Sequence, residues 1–267
     1  MTEEAIQRIV LVLEYDGAPW CGWQRQRNGT AVQALLDRAL VAIDGTPPTT
    51  VAAGRTDAGV HALAMAVHAD VDRARWRRAP GAYLHGVNAH LPESVRVVAI
   101  RAVEAGFHAR FDCLQRRYRY RIWNRSAAPS ALERWRHWWM PRPLDLEAMR
   151  AAAACLLGEH DFSAFRAAGC QARHAVRRID ALEIARSGHE IRIEIAADAF
   201  LYHMVRTIVG TLVECGTGRR PPETIPELLA GGERSQAGPN APAHGLYFID
   251  ARYRDFSSAA LAGGWQR

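Results

Sequence analysis

The order of strand-like and helix-like segments is the feature that most restricts the fold of this chain. In the first half, the spacing of apolar residues predicts strand, helix, strand, strand, helix and strand over residues 9–15, 32–43, 51–54, 64–71, 72–84 and 95–103. The second half repeats that order over residues 116–123, 145–157, 179–185, 191–196, 202–215 and 246–253. Because each half follows the order βαββαβ, we predict an α+β chain of two ferredoxin-like halves that form an extended, mainly antiparallel sheet with a cleft between them.

The two halves are assigned to two domains, over residues 1–106 and 107–267. Within the first, Thr30 to Gln33 has the S/T-x-x-E/Q spacing of a capping box, which predicts that Thr30 caps the first helix. Within the second, a short helix is predicted over residues 222–229. The Gly-, Ala- and Pro-rich stretch Gly231 to Gly245 is predicted to be an ordered loop.

Composition narrows the class of protein. No stretch approaches the roughly 20 apolar residues of a membrane span, and the first residues, Met1 to Glu4, lack the pattern of a signal peptide. The five cysteines are odd in number and have no C-x-x-C spacing, which argues against a disulfide framework or a zinc knuckle. We therefore expect a cytoplasmic protein with reduced cysteines and no membrane contact.

The basic residues are unusual in kind and in distribution. All 34 are arginine, which excludes chemistry that needs a lysine, such as a Walker A site or a Schiff base. Between Arg101 and Arg142, ten arginines stand against three acidic residues, a local excess of +7 compared with +6 for the whole chain. The same segment carries eight aromatic residues: Phe107, Phe111, Tyr118, Tyr120, Trp123, Trp135, Trp138 and Trp139. Guanidinium groups suit phosphates and rings suit bases, so the segment is compatible with nucleic-acid binding, and equally with a solvated surface that turns some rings into the core.

The densest candidate for a site is the segment Gly54 to Ala62, with the sequence GRTDAGVHA. Two glycines bracket a short polar cluster between two apolar strands, and glycine permits a tight turn or the close approach of a ligand. Asp57 is thereby placed on a loop at strand ends, where catalytic residues are often found. The alternative is an Asx turn, in which Asp57 bonds only its own backbone.

Ordered pieces of the sequence resemble one known family. Besides the Gly54–Ala62 segment, they are EYDG at 14–17, GWQRQ at 22–26, VQ at 32–33, GVN at 86–88, FHARF at 107–111, RYRY at 117–120, DF at 161–162, FR at 165–166, Phe200 with HMVR at 203–206, and GLY at 245–247. In this order and spacing, over roughly residues 8 to 253, the chain resembles the tRNA pseudouridine synthase A family.

The resemblance implies an isomerase that converts uridine to pseudouridine at positions 38, 39 and 40 of the tRNA anticodon arm. It also implies a homodimer with a basic cleft and no metal or organic cofactor. In this chain the catalytic residues would be the nucleophile Asp57, the stacking tyrosine Tyr118, and Arg206, which pairs with the aspartate. The residues implied to bind substrate are Arg55, which helps base flipping, Tyr118, Phe107, His108, Ala109, Arg110, Phe111 and Leu246.

The residue types fit the chemistry of such a reaction. A C–N glycosidic bond is broken, the uracil turns and a C–C bond forms, so the base must stay trapped. The carboxylate can attack the anomeric carbon or the ring, or help remove the C2′ proton, and the sequence leaves these alternatives open. A neighbouring guanidinium keeps the carboxylate ionised, although Arg206 taken alone is also typical of a partly buried structural ion pair. Tyr118 can stack on a flipped base, worth roughly 1–3 kcal/mol, or pack in the core; on a strand its ring shares a face with Tyr120.

Two other functions are compatible with part of these observations. A non-catalytic RNA-binding protein built from ferredoxin-like halves explains the arginine and aromatic content but not the Gly54–Ala62 segment. A metal-dependent hydrolase would use Asp57, His61 and His68, but the histidines are scattered at no metal-ligand spacing.

Overall fold

The computed structural model describes residues 6–27 and 29–263, so the Met1–Glu4 segment lies outside the described residues. Their contacts divide the chain into two compact units. The first unit runs up to Arg116 and resumes at Phe248, and the second comprises Arg117–Tyr247. The predicted domains, 1–106 and 107–267, concern which parts of the chain fold independently, and they stay a prediction.

The first unit follows the predicted order of elements. In chain order they are β1 (Ile6–Tyr15), α1 (Val32–Asp44), β2 (Thr50–Ala52), β3 (His61–Asp72), α2 (Arg73–Arg78), α3 (Pro80–Ala89) and β4 (Val95–Ala102). β1 lies between β4 and β3, β2 pairs with β3, and all three pairings are antiparallel. This is the strand arrangement of a ferredoxin-like unit.

The core of the first unit lies on both sides of β1. Residues Ile9 to Leu13 are completely buried, as are Leu36 and Leu40 on the inner face of α1. A continuous apolar run of this kind is typical of a strand that is covered on both faces. The long paired strands β1 and β3 therefore form a rigid base for the loop that connects β2 to β3.

The second unit repeats the order with short additions. Its elements are β5 (Gln115–Asn124), β6 (Trp138–Met140), α4 (Leu146–Ala154), β7 (Gly158–Asp161), β8 (Val176–Ser187), β9 (Glu190–Ala197), α5 (Met204–Gly216) and α6 (Ile225–Leu229), followed by β10 (Leu246–Arg252). The strands run in the order β5-β9-β8-β7, with β6 parallel to β5. β8 and β9 form an antiparallel hairpin, and Gly188 in its turn has a φ of 58°.

The C-terminal segment belongs to the first unit from Phe248 onward. β10 follows β3 in the hydrogen-bonded strand order, and a short helix α7 (Ser258–Leu261) comes after it. The predicted α+β class, the βαββαβ order of both halves and the mainly antiparallel pairing are confirmed. All five cysteines are free, as predicted.

The predicted capping box is wrong. The first helix begins after Ala31, which makes no side-chain cap hydrogen bond, and the Gln33 side chain turns inward to donate to the Thr50 carbonyl at 3.1 Å. Because its amide bonds a buried strand end, Gln33 cannot reach back to the helix start. At the other end of α1, Gly45 adopts the left-handed conformation, as its role as a helix stop predicts.

Other element boundaries shift by a few residues. The helix capped by Asp145 ends at Ala154 rather than Leu157, and the helix that precedes Thr217 starts at Met204 rather than Tyr202. The predicted helix over residues 222–229 is a 3₁₀ turn followed by α6. Asp145 caps this helix, accepting from the backbone N–H groups of Glu147 and Ala148.

Candidate active site

Asp57 lies in the loop between β2 and β3, which are held side by side by their antiparallel pairing. The loop leaves β2 with the Ala53 N–H donating to the Ala66 carbonyl at 2.8 Å. It returns through a turn in which the Val60 N–H donates to the Asp57 carbonyl at 3.1 Å, with Gly59 at a φ of 78°. Asp57 is half-buried and Arg55 is exposed. The loop thus presents a carboxylate and a guanidinium two residues apart.

A second loop, over residues 16–24, holds the Asp57 loop in place. The Trp23 N–H donates to the Thr56 carbonyl at 3.0 Å, and the buried Thr56 hydroxyl shares a hydrogen bond of 2.9 Å with the Tyr15 hydroxyl. A Cβ on Gly22, whose φ is 89°, would lie 2.5 Å from the Thr56 carbonyl oxygen. Glycine is required there because the two backbones touch.

The buried His61 adds a further link between these two loops. Its Nδ1 lies 3.1 Å from the Gly17 nitrogen and 3.1 Å from an oxygen of Asp16. When Nδ1 accepts from the Gly17 N–H, it carries no proton, and the Asp16 contact is then not a hydrogen bond. A Cβ on Gly17 would lie 2.0 Å from the Val60 carbonyl oxygen, so the backbones also meet at this end.

The FHARF segment, residues 107–111, is fixed through its backbone. The Ala109 N–H donates to His68 Nδ1 at 2.9 Å, and the Ala109 carbonyl accepts from the Tyr253 hydroxyl at 2.7 Å. Burial lowers the pKa of His68 to about 4, so its Nδ1 is available as an acceptor at neutral pH. Ala109 is completely buried, whereas Phe111 is 77% exposed.

The exposed part of the FHARF segment is an aromatic stack beside a guanidinium. The rings of His108 and Phe111 are stacked with centroids 4.2 Å apart, and the Arg110 guanidinium lies 6.0 Å from the Phe111 ring centroid. Phe107 turns the other way, with its ring 5.0 Å from that of Tyr253. Flat rings beside a cation are suited to a base and its phosphate.

Arg116 joins the FHARF segment to the start of the Asp57 loop. It donates to the carbonyls of Ala53 at 3.0 Å and Cys113 at 2.9 Å, and to that of Arg110. Burial lowers the pKa of Arg110, and the positive charges of Arg55 and Arg116 lower it further. The first unit therefore gathers the guanidinium groups of Arg55, Arg110 and Arg116 close to one another. The contacts of Arg116 could not be predicted from the sequence, because nothing in the RRY sequence distinguishes it from its neighbour Arg117.

The second unit holds Tyr118, Arg206 and Leu246. Tyr118 and Tyr120 lie on the same face of β5, as predicted, and both are buried. The Tyr118 ring meets that of Phe200 edge to face with centroids 5.1 Å apart, and the Tyr120 hydroxyl donates to the Pro242 carbonyl at 2.7 Å. Leu246 is 5% exposed at the start of β10.

Arg206 lies in the first turn of α5. Its Nε donates to the Ala241 carbonyl at 2.8 Å, and its own carbonyl accepts from the Ala241 N–H at 3.0 Å. The structure thus gathers Asp57, Arg55 and the FHARF segment in one unit, and Tyr118, Arg206 and Leu246 in the other. That these two groups form one site stays a prediction.

Within residues 6–27 and 29–263, no group of three or more His, Cys, Asp or Glu side chains is arranged to hold a metal ion. The same residues include no helix whose length and apolar character would allow it to cross a membrane.

Comparison with known proteins assigns the class. The sequence profile described as tRNA pseudouridine synthase matches residues 152–254. Together with the relatives that follow, this match places the α+β chain among the enzymes that isomerise uridine to pseudouridine. Three relatives are named tRNA pseudouridine synthase A. That of Rhodospirillum centenum is 50% identical over 93% of this chain and 100% of the relative; that of Xanthomonas euvesicatoria is 48% identical over 92% and 95%; that of Hydrogenovibrio crunogenus is 46% identical over 92% and 92%. The chain belongs to the tRNA pseudouridine synthase A family.

A fold comparison also pairs the chain with a solved Cbf5-Nop10-Gar1 complex. The two chains are 10% identical, with a TM-score of 0.40, over 91% of this chain and 48% of the other. A match at this level adds nothing to the assignment, which depends on the sequence relatives.

Proposed function

We propose that this enzyme converts uridine to pseudouridine at positions 38, 39 and 40 of the tRNA anticodon arm, with Asp57 as its nucleophile. The observation that carries this proposal is the position of Asp57. It is half-buried on a loop that hydrogen bonds fix from both sides, next to the exposed Arg55. A reaction that must keep a detached uracil in place requires a nucleophile held this rigidly.

The carboxylate of Asp57 acts in its ionised form. It attacks the anomeric carbon or the uracil ring, or it helps to remove the C2′ proton, and each of these routes needs a negative charge. The Arg206 guanidinium is proposed to keep Asp57 ionised, since an opposite charge nearby favours the charged form. Because Arg206 is fixed to the Ala241 carbonyl through Nε, its orientation is set before the substrate arrives.

Tyr118 is proposed to stack on the target uracil and to move the proton at C5. Its ring is held edge-on by Phe200 and is only 7% exposed, so little freedom is lost when a base covers it. Leu246, equally buried, is proposed to contact the base from the start of β10.

The first unit is proposed to bind the RNA on either side of the flipped nucleotide. A base in a stem must leave the stack to react, and Arg55 is exposed and able to fill the gap. Phe107 to Phe111 supply the contact surface, with the His108–Phe111 stack for a base and Arg110 for a phosphate. Ala109 and Phe107 contribute indirectly, because they fix the backbone that carries the exposed side chains. The Ala109 backbone is hydrogen-bonded to His68 and Tyr253, and the Phe107 ring packs against Tyr253.

The remaining parts of the proposal follow the family. The enzyme acts as a homodimer with a basic cleft, in the cytoplasm, where tRNA is modified, and it uses no metal or organic cofactor. All of the chemistry then falls to the side chains described above.

Replacement of Asp57 tests the proposal. Asp57→Asn keeps the shape of the side chain but removes its charge, so pseudouridine formation should fall below detection while tRNA binds within about threefold of the wild-type affinity. Asp180→Asn, an exposed position in β8, serves as the matched control and should behave as wild type. An active Asp57→Asn enzyme would refute the nucleophile role, and binding without product in the wild type would favour a non-catalytic RNA-binding protein.

A further inference from the structure

The loop between α6 and β10 includes a segment, Gly238 to Pro242, that lies across the first turns of α5. A Cβ on Gly210 of α5 would lie 1.8 Å from the Pro239 carbonyl oxygen, and one on Gly238 would lie 2.6 Å from the Thr211 nitrogen. The Gly238 N–H donates to the Thr211 hydroxyl at 2.9 Å. The segment therefore touches the helix backbone directly, and we call it the α5 strap.

Asn240 is the polar centre of the α5 strap. Its Oδ1 accepts from the Thr207 hydroxyl at 2.7 Å and lies 3.4 Å from Nη2 of Arg234, and its Nδ2 lies 3.1 Å from Nδ1 of His203. An amide nitrogen can only donate, so His203 Nδ1 accepts this hydrogen bond. Thr207 is completely buried, so its hydroxyl depends on this partner.

His203 is held in an uncommon backbone conformation. It is the residue that precedes α5, and its φ of 61° makes it the one non-glycine residue with a positive φ among residues 6–27 and 29–263. Such a conformation is unfavourable for a residue with a Cβ and persists only where the surroundings enforce it. Asn240 provides that enforcement, since its amide binds both the His203 ring and the first turn of the helix.

The same strap fixes Arg206. Ala241, the residue after Asn240, accepts from Arg206 Nε and donates to the Arg206 carbonyl. At its far end the strap is held by the buried Tyr120, whose hydroxyl donates to the Pro242 carbonyl at 2.7 Å. The helix start, the Arg206 side chain and the strap thus form one hydrogen-bonded unit centred on Asn240.

We propose that Asn240 is a positioning residue for this reaction: it fixes the start of α5 and the α5 strap so that the Arg206 guanidinium is held in one orientation. This rests on the role of Arg206 in the proposed function. Asn240 touches no reacting atom, and its effect reaches the chemistry through Ala241 and Arg206.

A double-mutant cycle tests this inference. The variants are Asn240→Ala, Arg206→Lys and the pair together, assayed by single-turnover pseudouridine formation on tRNA, by tRNA affinity and by thermal midpoint. Asn240→Ala should slow the single-turnover rate by about tenfold or more with tRNA affinity within about twofold, since a small displacement of a catalytic group costs rate rather than binding. In the Arg206→Lys background, which lacks Nε–H, the same substitution should cost less than about twofold.

Three further variants keep the test decisive if Asn240→Ala is unstable. Thr207→Val removes the hydroxyl at nearly constant shape and should slow turnover. Thr207→Ser keeps the hydroxyl donor and should turn over at the wild-type rate. Gln236→Ala is the matched control. It removes an amide of the same loop whose oxygen accepts from the Glu233 N–H, and it should leave the rate unchanged.

The outcomes separate the two proposals. Normal turnover in Asn240→Ala and Thr207→Val, or equal losses in both Arg206 backgrounds, would overturn the positioning role. A lower thermal midpoint with normal turnover of the folded enzyme would also overturn it, because the strap would then only support the fold. Full activity in Arg206→Lys and in Arg206→Met would instead refute the role of Arg206 in the proposed function.

Discussion

At the scale of single residues, Arg116 shows how one guanidinium can set the geometry of a site without touching substrate. Its hydrogen bonds end on backbone carbonyls of the Asp57 loop and of the FHARF segment, which carries the proposed RNA contacts. Only arginine offers several donors in a fixed planar fork, so lysine cannot replace it here. The distance between the proposed nucleophile, Asp57, and the proposed RNA-binding segment therefore depends on the shape of this side chain as well as on its charge.

Arg116→Lys should accordingly slow single-turnover pseudouridine formation by about tenfold, even though the charge is kept. Arg117→Lys is the matched control, because Arg117 forms a part-exposed ion pair with Glu194 and should lose less than about twofold. Equal rates for the two variants would show that charge alone matters at position 116.

His68 makes stability depend on pH. Its pKa is about 4 in the folded protein, below the ordinary value of 6.5, so the unfolded chain binds a proton that the folded chain does not between these two values. The contribution of His68 is therefore fully present above pH 6.5 and is lost as the pH falls toward 4. Between pH 7.5 and 5 this loss is about 2 kcal/mol.

His68→Gln, which keeps an acceptor for the Ala109 N–H, should remove this component. The free energy of unfolding, measured by urea titration at pH 7.5 and pH 5, should then fall about 2 kcal/mol less in the variant than in the wild type. An identical fall in both proteins would mean that His68 titrates normally in the folded state.

At the scale of elements, sequence periodicity predicted most of the fold. Long apolar strands such as β1, and helices with a clear apolar face such as α1, are specified by their own residues. The capping box failed because Gln33 finds a better partner in the neighbouring strand end at Thr50, a tertiary contact that spacing does not reveal. The candidate site could be located from the sequence because the residues of its central GRTDAG segment are consecutive.

The supports of the site were not predictable in this way. Arg116, the 16–24 loop and Asn240 act through contacts between residues distant in sequence, and their side chains belong to common types. The glycines at positions 17 and 22 do indicate close backbone contacts, because such a contact leaves no room for a Cβ. Only the coordinates show that the contacting backbone is that of the Asp57 loop.

Two glycines allow the contact between these loops to be tested. Gly22→Ala and Gly45→Ala both place alanine at a positive φ, 89° and 75°, and in each variant the positive φ alone should cost about 1 kcal/mol of stability. Gly45 has no atom within 4 Å of the added Cβ, whereas at Gly22 the Thr56 carbonyl oxygen lies 2.5 Å away. Gly22→Ala alone should therefore also slow single turnover, by at least about tenfold. If both variants turn over at the wild-type rate, the 16–24 loop does not position Asp57.

At the scale of the whole molecule, the proposed functional residues are distributed over two units that share the βαββαβ order of elements. The first carries the proposed nucleophile and the RNA-binding loop, and the second carries the proposed stacking tyrosine and the arginine partner. In the proposed function, the excess of arginine provides affinity for the phosphate backbone without selecting a sequence, so the choice of nucleotide would come from the shape of the proposed target, the anticodon arm.

Mapping pseudouridine on tRNA tests this account most directly. The wild-type enzyme is treated with EDTA and desalted, then incubated with unmodified tRNA that carries uridines at positions 38, 39 and 40 and elsewhere, and each uridine is read by pseudouridine-specific chemical sequencing beside an Asp57→Asn sample. The account predicts pseudouridine at positions 38 to 40 with the wild type and none with the variant. Pseudouridine at other positions only, or equal product from both proteins, would contradict it.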